Sequence, residues 1–192
     1  ATIDGFNEYI TTLKADDTPT LLHLTTFNSS NSRLVYDFED VSLVKSMTPD
    51  DYQPANLTPL YDAIADGIIK TDRYLRQNDE KHDVIFTIMT DGWENCSTRY
   101  LRSDIFRMIS ERERNGWVFN YLGANQDAWL EAGNIGIKRN YASDYDARDP
   151  KQAFRTVATS TLRAKRQMKG GIYPGEFFES EQQKKLRRFL ET

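Results

Sequence analysis

Two short stretches carry the residues whose types and spacing suit chemistry. Residues 56–63 read NLTPLYDA, and residues 84–95 read VIFTIMTDGWEN. In the second, an almost unbroken apolar run stops abruptly at Thr90-Asp91-Gly92. Such a run suits a strand covered on both faces, as at the centre of a parallel sheet. A carboxylate just past the carboxyl end of that strand lies where open α/β sheets bind ligands. Asp91 is therefore the first candidate, and Thr58 the second. A threonine hydroxyl with an aspartate is an oxygen pair that a hard six-coordinate ion such as Mg²⁺ takes. Two protein ligands alone would hold such an ion weakly, so a further contributor is expected.

Neighbouring residues carry competing readings. Thr58 precedes Pro59 and has the chemistry of a helix N-cap, and one hydroxyl can serve both roles. Asp91 also suits a turn held by its own side chain. Asp62, four residues past Thr58, suits the positive end of a helix dipole. Glu94 and Asn95 either line the ion's surroundings or sit in a solvated loop. Trp93 reads as a contact surface beside the site or as a packing residue. Cys96, His23 and His82 lack a nucleophile–base pattern, and no zinc spacing, P-loop or dinucleotide fingerprint occurs.

The elements that must position these residues follow from periodicity. Ile3, Phe6, Ile10 and Leu13 recur at helical spacing behind Thr2, a cap candidate. Residues 20–28 and 33–39 read as strands joined through turn chemistry, NSSNS, and so as an antiparallel hairpin. A helix opening at Thr58-Pro59 carries Leu60, Ile64, Ile68 and Leu75. The buried strand 83–90 follows, then a helix marked by Leu101, Ile105, Met108 and Ile109. Strand 117–122, a short helix around 126–132 and a short strand near 138–142 come next. Residues 150–167 read as a helix, 169–175 as a break and 180–191 as a short charged helix. Strands alternating with helices predict an α/β fold with a mostly parallel sheet and the hairpin as its antiparallel edge.

Composition bounds the function. With 39% apolar and 28% charged residues the chain reads as a soluble globular protein, and no run approaches the roughly 20 apolar residues of a membrane span. A single cysteine excludes an intrachain disulfide and points to a reducing, cytoplasmic setting. Residues 1–150 carry 15 basic and 25 acidic side chains; residues 151–192 carry 10 and 4. The acidic body argues against nucleic-acid binding there. The basic tail either packs on that body or docks on an acidic partner or nucleic acid. Phe177, Phe178 and Phe189 in it either anchor a partner or pin the tail to its own domain.

TFN at 26–28, NLTPLYDA and the strand ending TDGWEN resemble the von Willebrand factor A domain family, in its bacterial and phage stand-alone form, over residues 2–166. The resemblance implies a Rossmann-like sheet with helices on both faces, residues 1–168 as the domain, and 169–192 as a basic helical tail. It further implies a metal-ion-dependent adhesion site for Mg²⁺ or Mn²⁺, with Thr58 a direct ligand and Asp91 a direct or water-mediated one. A protein partner's carboxylate would complete the coordination in a non-enzymatic binding module. The rival expectations are a Mg²⁺-dependent hydrolase or phosphoryl-transfer enzyme using Asp91 and Glu94, and an assembly component with a vestigial site. The family's Asp-x-Ser-x-Ser loop and the strand before it have no counterpart here; Ser29, Ser30 and Ser32 follow no aspartate. In the family that strand lies between those at 20–28 and 83–90. Its absence would leave buried backbone groups unpaired at roughly 1–3 kcal/mol each, against a typical domain stability of about 5–15 kcal/mol. Three resolutions are expected: residues ahead of Ala1, a strand from another chain, or direct closure of the two flanking strands.

Overall fold

The computed structural model describes residues 1–29, 32–54, 57–79, 81–124 and 127–180. Helix α1 (Thr2–Lys14) leads to a hairpin of β1 (Leu21–Phe27) and β2 (Ser32–Asp40). Helix α2 (Leu60–Gln77), β3 (Ile85–Thr90), α3 (Arg102–Arg114), β4 (Val118–Ala124) and α4 (Ala128–Asn134) alternate. A 3-10 turn at Arg139–Tyr141, β5 (Ala142–Tyr145) and α5 (Pro150–Lys169) complete the described elements. This is an α/β fold. Its parallel sheet runs β3-β4-β5, with β4 central and buried at every position.

Strand alternation puts helices on both faces of β4. Phe119 stacks toward Phe86, whose ring lies against Gly67 of α2. Leu122, three residues on and hence opposite, shares a cavity of about 270 Å³ with Ala153 and Thr156 of α5. Lys138–Ala142, read above as a strand, holds the 3-10 turn instead; β5 starts only at Ala142.

The larger correction concerns the hairpin. It is not an edge of the parallel sheet but a separate two-stranded sheet, and β1 is not hydrogen-bonded to β3. Direct closure of the two strands is thereby overturned. The core is split accordingly. One cluster (Phe6, Ile10, Leu13, Tyr36, Val41, Val44, Met47) lies under the hairpin, and a larger one spans the parallel sheet. β3, the most apolar strand by sequence, is only partly covered: Ile85, Phe86 and Met89 are half-buried and Thr87 exposed. A strand with partners on both sides would hide them, as β4 does.

Contacts of α1 and α5 help join the halves. α1 packs on α5, closely enough at Gly5 that an added Cβ would stand 3.0 Å from the Lys151 Cα and 2.7 Å from the Phe154 ring. Lys165 of α5, almost wholly buried, donates to Asp16 at 2.6 Å and to the Thr20 hydroxyl at 2.7 Å. The hairpin itself carries an irregularity. Register shifts around His23 leave Phe38 at φ +51°, in left-handed space that costs a non-glycine residue about 1–2 kcal/mol. Phe38 then stacks on His23 and Tyr74.

Beyond α5 the chain packs back on the core rather than standing apart from it. Phe177 is fully buried and Phe178 nearly so, both held by backbone bonds to the Asn140 carbonyl. These rings pack residues 177–178 onto the larger core. The helix expected at 180–191, and Phe189, lie outside the described residues. Among the described residues no helix is long and apolar enough to cross a membrane.

Candidate functional site

The carboxyl end of β3 meets the amino end of α2. Two backbone-level bonds lock the loops together: the Thr58 N–H donates to Asn95 Oδ1 at 2.8 Å, and the Asn95 N–H to the Thr58 carbonyl at 3.3 Å. The contact is tight at the turn. A Cβ on Gly92 would stand 2.4 Å from Thr58 Oγ1, so glycine there lets the threonine hydroxyl reach the residue next to Asp91. The turn is braced from within, since the Thr90 hydroxyl donates to the Gly92 carbonyl at 2.9 Å.

Thr58 is not the helix cap. Pro59 occupies that position without a side-chain bond, and Pro59 is therefore not the first helical residue either. The free N–H groups at the start of α2 are taken from the other loop. Tyr61 N–H donates to Glu94 Oε2 at 3.0 Å, and the Ser97 hydroxyl oxygen accepts from Tyr61 and Asp62 N–H at 3.1 and 3.2 Å. Glu94 also accepts from the N–H groups of Cys96 (2.9 Å) and Ser97 (2.7 Å) and from the Ser97 hydroxyl (2.7 Å). Its carboxylate thus caps α2 and lies at the positive end of the helix dipole. Glu94 and Asn95 thus clamp the two loops together.

Asp62 does more than complement a dipole. Its carboxylate accepts three successive N–H groups, from Thr98 (3.0 Å), Arg99 (3.1 Å) and Tyr100 (3.0 Å). Burial pulls its pKa up, but those three bonds and the nearby Arg99 outweigh it and leave the group below its ordinary value. Arg99 in turn grips Asp66 with a two-toothed contact at 2.9 and 2.7 Å. Residues 94–100 are thereby fastened to α2.

Asp91 remains exposed. Around it stand groups that the sequence did not flag. Burial first, and then the Asp91 carboxylate, push the phenols of Tyr52 and Tyr145 up from their ordinary value. The Thr2 side chain lies near the Tyr52 hydroxyl, so the start of α1 borders the same end of the sheet. Thr2 is the first helical residue, not the N-cap; Ala1 holds that position. Trp93 is 50% exposed and Leu57 45%, on the two loops that Thr58 and Asn95 join. Trp93 is a surface residue, not a packing one.

The donors present fit a hard divalent ion in kind, both being oxygens. Among the described residues no group of three or more His, Cys, Asp or Glu converges as a metal cage. Tyr52, Ser97 and the clamping role of Asp62 were missed because loop pairing across some forty residues leaves no periodic signal. Neither a scan of protein-family models nor a search of curated proteins returns a match to this chain.

Proposed function

We propose that the protein is a non-enzymatic protein-binding module of von Willebrand factor A type, working through a divalent ion at the carboxyl end of the parallel sheet. The observation that carries this reading is the packing of the Thr58 hydroxyl on the Gly92 turn beside an exposed Asp91. Because Pro59 leaves the capping to Glu94 and Ser97, the Thr58 side chain is not consumed by the helix. Thr58 would be a direct ligand and Asp91 a direct or water-mediated one, with Mg²⁺ or Mn²⁺ as the ion. The remaining positions fall to water and to a partner's carboxylate. Trp93 and Leu57, exposed on either side, give the rim an apolar contact area for that partner.

The hydrolytic rival needs a second carboxylate to act as base, and the one beside Asp91 is spent. Both Glu94 oxygens already accept hydrogen bonds from Tyr61, Cys96 and Ser97. A different observation favours a second reading, that of an assembly component: among the described residues β1 pairs only with β2, and β3 only with β4.

Calorimetric titration with Mg²⁺ and Mn²⁺ tests the first reading. Binding to the native chain, lost in Asp91→Ala and weakened in Thr58→Ala, is the expected result. Titrations indistinguishable among the three proteins would overturn it. Turnover of a generic phosphate ester, abolished by Asp91→Ala, would favour the enzyme instead. Metal-independent association surviving Thr58→Ala and Asp91→Ala together would favour the assembly component.

A further inference from the structure

Four rings form a column at the opposite end of α2 from Thr58. His23, the third residue of β1, stacks on Phe38 of β2 with centroids 4.6 Å apart. Phe38 stacks on Tyr74 of α2 at 4.1 Å, and Tyr74 meets His82, which precedes β3, at 5.8 Å. The column therefore crosses from the hairpin to the parallel sheet where β1 and β3 both begin. Among the described residues no strand hydrogen bonds make that crossing, so the rings take on part of the joint.

His23 is poorly placed to carry charge. Its side chain is only 12% exposed. Its Nδ1 lies 3.3 Å from an Asp37 oxygen but in no hydrogen-bonding geometry, and its Nε2 is 3.4 Å from the Thr25 hydroxyl. The groups facing it are Asp37 on β2, Lys70 and Tyr74 on α2, and His82 beyond Tyr74. Asp37 is 65% exposed, so water screens its attraction, while Lys70 opposes a second positive charge. A cation would find the Phe38 face favourable, but burial is the largest influence and holds the imidazole below its ordinary value.

We propose that the His23 column is a pH-sensitive brace: protonation of His23 frees the β1–β2 hairpin from α2 while the parallel sheet stays folded. The sign follows from the depressed affinity for a proton. Once released, His23 regains an ordinary value near 6.5, so the released state takes up the proton first. The brace is at full strength above that pH and weakens as pH falls through it.

The test combines the imidazole titration of His23, followed by NMR, with amide protection factors corrected for intrinsic exchange. A His23 midpoint below 6.5 is expected. Protection in β1 and β2 should fall on acidification, by no more than about tenfold per pH unit for one proton, with β4 unchanged. In His23→Phe, which keeps a ring in the column, that fall should vanish; in His82→Phe it should persist. A His23 midpoint at or above 6.5, an undiminished fall in His23→Phe, or its loss in His82→Phe would each overturn the proposal. The native-protein titration decides even where a variant fails to fold.

Discussion

At the scale of single residues, the candidate site is built by small side chains that permit and long ones that fasten. Gly92 permits: an added methyl would collide with Thr58 Oγ1. Gly92→Ala should therefore destabilise the protein by about 1–3 kcal/mol, the usual cost of overpacking. In a Thr58→Ala background most of that cost should disappear, and a double-mutant cycle by chemical denaturation measures the coupling. Asp62 fastens. Asp62→Asn would keep one oxygen for the Arg99 and Tyr100 N–H groups but turn an N–H₂ toward that of Thr98, and a loss of about 2–3 kcal/mol is expected. The pH dependence has a definite sign. A carboxyl with a depressed folded pKa stabilises above its ordinary value of 3.8, and that contribution is lost as pH falls through the folded value. Acid unfolding of native protein should thus be steeper below pH 3.8 than that of Asp62→Asn.

At the scale of elements, hydrophobic periods reported the helices α1, α2, α3 and α5 within a few residues, because each buries one apolar face, and apolar runs reported β3 and β4. What failed was whatever depends on partners distant in sequence. The hairpin was legible as a hairpin from NSSNS, yet its place in a sheet depends on the edge of β3, which no local pattern encodes. Thr58 and Asp91 were legible as neighbours of one sheet end. By sequence, Glu94 and Asn95 suit a ligand's surroundings or a helix terminus equally well, and their bonds to α2 and to Thr58 come only from the geometry. Gly5 gives the α1–α5 contact a direct test. Alanine improves helix propensity by about 1 kcal/mol, but here it meets the Lys151 backbone and Phe154. Gly5→Ala should lower stability despite its propensity gain, with a reduced melting temperature as the readout.

At the scale of the whole molecule, two cores share one chain. Lys165 ties them with its contacts to Asp16 and Thr20. Lys165→Met would strand the largely buried Asp16 carboxylate, at a cost of about 3 kcal/mol. Lys165 is also the largest influence holding the Asp16 pKa down, so this contribution too is present above pH 3.8 and lost as acid protonates Asp16. The facing sides of β1 and β3 raise a colloidal question, since apolar strands with free edges template association. Thr87→Lys, placing a charge on the exposed position of β3, should reduce concentration-dependent light scattering at neutral pH. Unchanged scattering would mean that the β3 edge is not the route of association.

The fastening of residues 94–100 has a further consequence. Loops that close over a ligand ordinarily lose motional freedom at that moment, at about 0.5–1.5 kcal/mol for each side chain stilled. Here Glu94, Ser97 and Asp62 have stilled the segment during folding, through bonds that need no visitor. Whatever lands on Thr58 and Asp91 meets a rim already at rest, and its arrival should leave little calorimetric trace of ordering.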